Sequence, residues 1–322
     1  MTGEFDLIRR YFRGRGPARG DIVQGIGDDC AVLAPPAGME LVVSTDTLIE
    51  GVHFPEGTHA SDLGYKALAV NLSDLAAVGG YPAWFLLNLS LPRVNADWLA
   101  AFSEGLFSLA TEQQVALVGG DTTRGTLMVT ITVMGFVPKG ETLMRAGAKP
   151  GDVVYVTGFV GQAALGLKQW YGQIDVPEEY RPEVMERFLR PRPRIAEGQA
   201  LRGLASALID VSDGLAADLG HILEESGVGA RVWLERLPVS PAYDSVFPVL
   251  GWDAALSGGD DYELCFTLPP GARHAFHGRL PHFNCGFAEI GVIESSPGLR
   301  LVAGDGSAYV PVQCGYDHFA GE

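Results

Sequence analysis

Glu40-Leu-Val-Val-Ser-Thr-Asp46 predicts a β-strand, because its β-branched residues suit a pleated, half-buried surface. A helix capped by Ser61 is expected next, and Gly79 and Gly80 would stop it. Its apolar face would be made by residues spaced at i, i+4, i+7 and i+8, namely Leu68, Leu72, Leu75 and Ala76. This strand–helix succession predicts an α/β fold.

The same alternation continues toward residue 140. Strands are predicted at Ala83–Leu91, Ala116–Val118 and Leu127–Val137, and a helix is predicted around Trp98–Thr111. The number of consecutive strands indicates a mixed sheet.

A second α/β half follows a segment rich in turn residues, Gly140 to Gly151. We therefore expect an N-terminal α/β domain over residues 1–139, a linker over 140–149 and a C-terminal α/β domain over 150–322. In the second half, strands are predicted at Val153–Thr157 and Ala207–Val211. A helix beginning near Leu215 would end at Gly227, a typical C-cap residue.

Composition excludes several classes of protein. Of 322 residues, 47% are hydrophobic and 19% charged, which gives real cores and argues against disorder. The net charge of −16 would repel a phosphate backbone, so nucleic acid is a poor candidate partner. No segment approaches the roughly 20 apolar residues of a membrane span. With four widely spaced cysteines and two acids among the first six residues, we expect a cytoplasmic protein with reduced, mostly buried thiols.

Six short corners combine Asp with Gly, Ser or Thr, mostly at predicted strand ends or helix starts. They are Gly25–Asp29, Ser44–Thr47, Asn71–Asp74, Gly119–Thr123, Asp210–Gly214 and Ser257–Asp261. Any one of them is ordinary turn chemistry or helix capping. Six together, several of them next to apolar strands, would gather carboxylates that need a cation, and oxygen ligands suit Mg²⁺.

Two of the corners leave alternatives open. Lys66, Val70 and Asp74 share one helix face, which fits a metal site or a solvated face nearly equally. Ser212 would cap the helix after it, and the following N–H groups would either only cap the helix or face a phosphate. For the basic cluster Arg190–Arg194 a solvated turn is favoured over a binding patch.

The common nucleotide motifs, a P-loop, a protein-kinase glycine loop and a dinucleotide fingerprint, are absent from the sequence. If nucleotide binds, metal ions must therefore neutralise most of its charge. The six corners in their order resemble the thiamine-monophosphate kinase family of the aminoimidazole ribonucleotide synthetase-like superfamily. The resemblance extends from Gly3-Glu4-Phe5 to Gly315-Tyr316-Asp317-His318-Phe319, nearly the whole chain.

The resemblance implies a two-domain fold whose N-terminal domain binds ATP and metal and forms a homodimer through its sheet, while the C-terminal domain covers the site. It implies transfer of the ATP γ-phosphoryl group to thiamine phosphate with several Mg²⁺ ions. The implied metal ligands are Asp29, Ser44, Thr45, Asp46, Asp74, Asp121, Asp210 and Asp213. The implied nucleotide contacts are Gly120, Asp121, Arg145 and Ser212, and the implied thiamine contacts are His53, Asp260 and Tyr316.

Among these residues, the resemblance gives the catalytic roles to Asp46, Asp121, Asp213 and Arg145. The family commonly has Glu-Asp where this chain has Asp260-Asp261. The alternatives are another ATP-using enzyme of the superfamily and a Mg²⁺/nucleotide-binding protein without transfer activity.

Overall fold

The computed structural model describes residues 3–313 and 315–316. The chain divides into two compact units, Met1–Leu75 with Gly80–Gly140, and Ala76–Gly79 with Glu141–Glu322. Residues 139–152 contain no helix or strand. No helix of the described chain is both long and apolar enough to cross a membrane.

The first unit contains a four-stranded mixed sheet together with helices. In chain order its elements are α1 (Glu4–Tyr11), β1 (Ile22–Gln24), β2 (Val32–Leu33), β3 (Met39–Ile49), α2 (Ala60–Ala77), β4 (Tyr81–Leu91), α3 (Ala96–Glu112), β5 (Ala116–Arg124) and β6 (Met128–Pro138). The sheet order is β3-β6-β4-β5, in which β4 and β5 are parallel and the other pairs antiparallel. The strand β3 therefore lies at an edge.

Helix α2 is buried around most of its circumference. Leu68, Val70, Asn71 and Leu72 are each at most 1% exposed, although they point in different directions around the helix. It approaches α3 very closely, since a Cβ on Gly64 would lie 2.1 Å from the Phe102 carbonyl. The predicted helix is confirmed, and it is the core of the first unit rather than an amphipathic cover. The prediction that Ser61 caps it is wrong, because the helix begins at Ala60 and Ser61 lies within its first turn.

The second unit is a larger mixed sheet with helices around it. In chain order its elements are β7 (Val153–Thr157), α4 (Gln162–Trp170), α5 (Arg181–Leu189), α6 (Ile195–Leu201), β8 (Ala207–Asp210), α7 (Leu215–Ser226), β9 (Gly229–Trp233), α8 (Pro241–Leu250), α9 (Asp253–Ser257), β10 (Leu264–Leu268), α10 (Arg273–Arg279), β11 (Phe287–Glu294), β12 (Gly298–Val302) and β13 (Ala308–Tyr309). The strand order is β13-β12-β9-β11-β7-β10-β8.

Side chains along strand β7 of the second unit point alternately into a hydrophobic core on each face of the sheet. Val154 and Val156 of β7 join an aliphatic cluster with helix α7. Tyr155, on the opposite face, stacks on Phe266 with ring centroids 5.3 Å apart. The Tyr155 ring also lies 5.5 Å from that of Phe276 in helix α10, so both faces of this sheet are covered. Gly227, in the left-handed conformation, ends α7 as predicted.

Cysteines do not cross-link the described chain. Cys265 is buried, Cys285 partly buried and Cys30 exposed, and all are free thiols. The expectation of mostly buried thiols is thus wrong for Cys30, because it lies in the exposed connection between β1 and β2. Cys314 falls outside the described residues.

Candidate active site

In the first unit, four polar residues meet where β3 lies against helix α2. The Ser44 hydroxyl donates to Asp74 Oδ2 at 2.5 Å. The backbone N–H of Asp46 donates to Asn71 Oδ1 at 3.0 Å, and the Asn71 amide donates onward to the Ala67 carbonyl at 2.9 Å. The buried Asn71 side chain therefore fixes the position of Asp46 relative to the helix.

The prediction that the strand ends at Asp46 is wrong, because Asp46 lies within β3. Strand β3 pairs with β6 along its full length, with Asp46 opposite Ile131, and continues to Ile49. Side chains alternate along a strand, so Ser44 and Asp46 share one face. The Thr45 hydroxyl points to the other, where it lies 3.0 Å from Thr132 Oγ1.

The solvated-face interpretation of helix α2 is wrong. Lys66 and Val70 are each 1% exposed, and Asp74 is only partly exposed. The burial of Lys66 and Asn71 indicates that both side chains have polar partners in the protein, since such groups are rarely buried without them.

The remaining predicted residues of this unit are more open to solvent. Asp29 is exposed in the connection between β1 and β2, and Gly120 and Asp121 are exposed within β5. The Gly119–Thr123 corner therefore belongs to a strand, whereas a turn after Val118 was predicted. Among the described residues, no hydrogen bond joins Asp29 or Asp121 to the Ser44–Asp74 pair.

His53 follows β3 in a turn that fixes its ring. Its Nδ1 accepts from the backbone N–H of Ile49 at 3.0 Å, and the backbone N–H of His53 donates to the Ile49 carbonyl at 2.9 Å. Because an accepting Nδ1 carries no proton, this assignment places the proton of the neutral ring on Nε2.

The donor set of the first unit fits Mg²⁺ by its chemistry. Ser44, Asp46 and Asp74 offer only oxygen atoms, the ligands that Mg²⁺ prefers. Within the described part of the chain, no three His, Cys, Asp or Glu side chains form a group that could hold a metal ion. Mg²⁺ is commonly held by one or two carboxylates together with substrate phosphates and water, so a site of few protein ligands suits it.

In the second unit, the loop after β8 is held by a carboxylate that the sequence interpretation missed. Asp218 Oδ2 accepts from the backbone N–H groups of Ser212, Asp213 and Gly214 at 3.0, 3.1 and 3.1 Å. The prediction that Ser212 caps α7 is wrong, because the N-cap residue is Gly214 and no side chain caps there. The anion that these N–H groups face is the carboxylate of Asp218.

The carbonyl side of the same loop holds two of the predicted substrate contacts. The N–H of Asp260 donates to the Ser212 carbonyl at 2.8 Å, and the N–H of Tyr316 donates to the Asp213 carbonyl at 3.0 Å. The structure thus brings Ser212, Asp213, Asp260 and Tyr316 together within one unit. Asp260 has a φ of +70°, a conformation that Asp adopts more readily than most residues.

The other two predicted residues of this unit lie beside β8. Asp210 is its last residue and is 4% exposed. Arg145 is exposed and follows Met144, whose carbonyl accepts from the N–H of Leu208 at 2.9 Å. In the described chain Arg145 makes no hydrogen bond or ion pair, so its charge is open to a ligand.

Two carboxyl groups here, the buried Asp218 and the partly exposed Asp261, titrate unusually. Burial, reinforced by the charge of Asp213, raises the pKa of Asp218 to about 7. Burial likewise raises the pKa of Asp261 to about 7, although this carboxylate accepts from the N–H groups of Gly161 and Ala163 at the start of α4. Both groups are close to the predicted site residues, as is common in active sites.

Asp218 and Asn71 escaped the sequence interpretation for different reasons. Asp218 occupies the first turn of α7, where an acidic residue is typical, and that local signal could have found it. Asn71 belongs to the Asn71–Asp74 corner, but its hydrogen bond to β3 joins parts of the chain that are distant in sequence. The solvated-turn interpretation of Arg190–Arg194 is wrong for Arg194, which is 5% exposed and ion-paired with Glu263.

Known proteins share this chain's architecture over both units. The sequence profile of the AIR synthase related protein N-terminal domain matches residues 27–137, and that of the C-terminal domain matches residues 149–304. The thiamine-monophosphate kinase of Salmonella typhimurium is 49% identical over 323 residues, which cover 99% of this chain and 98% of the relative.

Solved structures agree with this relationship. The crystal structure of thiamine-monophosphate kinase from Stenotrophomonas maltophilia has a TM-score of 0.83 and 46% identity, and the match covers 90% of this chain and 93% of that one. AaThiL complexed with AMPPCP and TMP has a TM-score of 0.77 and 30% identity, with 89% of each chain covered. The expected two-domain α/β fold is confirmed, and the chain belongs to the thiamine-monophosphate kinase family of AIR synthase related proteins.

Proposed function

We propose that this protein transfers the γ-phosphoryl group of ATP to thiamine phosphate, giving thiamine diphosphate and ADP, with Mg²⁺. The observation that carries the proposal is 49% identity to a thiamine-monophosphate kinase over 99% of the chain. The relative complexed with AMPPCP and TMP supports ATP as the co-substrate, because AMPPCP is a non-hydrolysable ATP analogue.

The acceptor chemistry requires no general base. A phosphate monoester has a second pKa near 6, so thiamine phosphate already carries a nucleophilic oxyanion at neutral pH. The difficulty is to bring two polyanions together in line. The protein must therefore supply positive charge and orientation.

Mg²⁺ would neutralise phosphate charge in this site. Its proposed holders in the N-terminal domain, residues 1–139, are Ser44, Asp46 and Asp74, which lie together, with Asp29, Asp121 and the backbone of Thr45. In the C-terminal domain, residues 150–322, the proposed holders are Asp210 and Asp213. Among these carboxylates Asp46, Asp121 and Asp213 are assigned the catalytic roles.

Positive charge from the protein itself comes from Arg145, beyond the first domain in the 140–149 linker. Its open guanidinium suits a phosphate oxygen, which it would stabilise as charge develops during transfer. Gly120 and Ser212 are the further nucleotide contacts in the proposal. The N–H groups of the Ser212 loop are already used by Asp218, so Ser212 would contact nucleotide through its hydroxyl.

Thiamine recognition is assigned to His53, Asp260 and Tyr316. The Tyr316 side chain is 50% exposed and offers an aromatic face to the cationic thiazolium ring. The backbone of Tyr316 is tied to Asp213, so this ring would stand beside the residues that handle phosphate.

We further propose a homodimer formed by the first unit's sheet. On its edge strand β3, Leu41 and Val43 are 51% and 57% exposed, which is unusual for adjacent apolar positions on one strand face. An exposed apolar edge is a liability unless another chain covers it. Sedimentation at micromolar concentration should give twice the monomer mass, and a monomer would refute the dimer.

Incubation with Mg²⁺-ATP and thiamine phosphate tests the activity. Thiamine diphosphate and ADP should form in equal amounts, and EDTA should abolish both. ADP without thiamine diphosphate would indicate another enzyme of the superfamily, and binding of ATP without any product would indicate a binding protein.

A further inference from the structure

We infer that Asp218 is a positioning residue for phosphoryl transfer, because its carboxylate holds the Ser212–Gly214 loop from inside the protein. This inference rests on the proposed function, since the loop carries residues assigned there to nucleotide and metal. Nothing in the proposed reaction requires Asp218 to touch a substrate.

The loop is fixed from both sides. Its N–H groups converge on one oxygen of Asp218, which is 2% exposed. Its carbonyl groups accept from Asp260 and Tyr316. A shift of the loop would therefore move the proposed nucleotide contact, a proposed metal ligand and two proposed thiamine contacts at once.

Successive N–H groups of this kind form a nest that ordinarily binds phosphate or another external anion. Here the anion is internal, and it lies at the N-terminal end of helix α7, whose dipole favours negative charge. In its ionised form Asp218 makes charge-assisted hydrogen bonds, which are stronger than neutral ones, so it then holds the loop more firmly than an amide would. The loop is thus organised before any substrate arrives.

Asp218→Ala tests this directly, because it removes the acceptor and leaves a cavity the size of a small carboxylate. We expect kcat/KM for both substrates to fall at least tenfold, and calorimetry to show Mg²⁺-ATP binding weakened at least tenfold. Added sodium formate should restore part of both, since formate supplies a carboxylate to the same N–H groups. Sodium chloride at equal ionic strength should restore neither.

Asp152 provides a matched control in the same unit. It is 4% exposed and accepts from the Lys149 N–H at 2.9 Å and the Ser206 hydroxyl at 2.6 Å. It precedes β7, at the end of the sheet opposite the end of β8 that carries the loop. Asp152→Ala should lose stability but keep kcat/KM and Mg²⁺-ATP affinity, and formate should change neither.

Unchanged kinetics and unchanged Mg²⁺-ATP affinity in Asp218→Ala would overturn the inference. So would an equal loss of activity in Asp218→Ala and Asp152→Ala that formate does not restore. If Asp218→Ala does not fold, Asp218→Asn keeps the shape. Asp218→Asn should lose less kcat/KM and less Mg²⁺-ATP affinity than Asp218→Ala, and formate should not restore either. Wild-type kinetics in Asp218→Asn would overturn the inference. A wild-type protein that binds Mg²⁺-ATP but makes no thiamine diphosphate refutes the proposed function instead, and calorimetry alone then decides the role of Asp218.

Discussion

Asp46 combines two properties that separate a functional carboxylate from a structural one. It is exposed, and its backbone is held by Asn71. Asp46→Asn keeps the shape and removes one charge. Without metal, the free energy of unfolding should stay within about 0.5 kcal/mol of wild type, as for most surface substitutions. Turnover should fall on the order of a hundredfold or more, because the transferring group loses charge stabilisation.

Melting curves and a rate assay check this prediction. Mg²⁺-ATP should raise the melting temperature of wild type more than that of Asp46→Asn, since only binding to the folded state stabilises it. Glu104→Gln, which removes an exposed charge from α3, is the control and should match wild type. Near wild-type turnover in Asp46→Asn, or loss by unfolding alone, would make Asp46 structural.

Tyr316 allows the thiamine side of the site to be tested separately from the ATP side. Tyr316→Ala should weaken thiamine phosphate binding by about 1–2 kcal/mol through loss of a cation–π contact, with the KM for ATP nearly unchanged. Tyr316→Phe keeps the ring and should keep the KM for thiamine phosphate. If the KM for thiamine phosphate is also unchanged in Tyr316→Ala, Tyr316 does not contact the thiamine ring.

Among the helices and strands, helical periodicity located the helices correctly, whereas the Gly-Asp corners gave wrong ends for two strands. The helices α2 and α7 were predicted because their apolar residues recur at helical spacing. The predicted strand ends at Asp46 and Val118 are wrong because cross-strand pairing carries β3 and β5 through their polar residues. Pairs such as Thr47 and Thr130, whose hydroxyls lie 2.8 Å apart, stabilise these stretches, and no local pattern reveals a partner 83 residues away.

The same limit applies to the site. Its candidate residues could be named from local Gly-Asp corners, but which of them meet depends on distant contacts such as that between Ser44 and Asp74. The use of the Ser212 N–H groups by Asp218 was equally hidden, because the sequence allows either an internal or an external anion there.

Adjacent glycines of β5 give a test of strand packing. Gly120 has a φ of +139°, and a Cβ there would lie 1.8 Å from the Leu87 carbonyl of β4, whereas a Cβ on Gly119 would meet only a Leu86 methyl at 3.1 Å. Gly120→Ala should therefore destabilise the protein by several kcal/mol, more than Gly119→Ala. Denaturant unfolding measures both, and equal losses would contradict the strand geometry.

For the whole molecule, the raised pKa of Asp261 predicts how stability changes with pH. The folded protein keeps this proton up to about pH 7, whereas in the unfolded chain the carboxyl group has its ordinary pKa of 3.8 and loses the proton there. Since the folded state then binds more protons, the free energy of unfolding should fall as pH rises from about 4 to 7. Asp261→Asn, which cannot ionise, should show a smaller fall.

Thermal unfolding between pH 5 and pH 8 measures that difference. The control is Asp305→Asn, because hydrogen bonds from Ser307 lower the pKa of Asp305 and place its titration below this range. Its pH dependence should match wild type. An Asp261→Asn variant as pH-dependent as wild type would show that Asp261 does not titrate in this range.

The burial of helix α2 has a consequence for backbone dynamics. Amide protons exchange with deuterium only when their hydrogen bonds open, and a helix packed on several sides opens only with its whole cooperative unit. Leu68, Leu72 and Leu75, each at most 1% exposed, should therefore be among the last amides of the first unit to exchange. Asn71, which positions Asp46, and Asp74, a proposed Mg²⁺ ligand, lie on this same stretch of backbone. These parts of the proposed metal site are therefore built on the slowest-exchanging segment of the first unit.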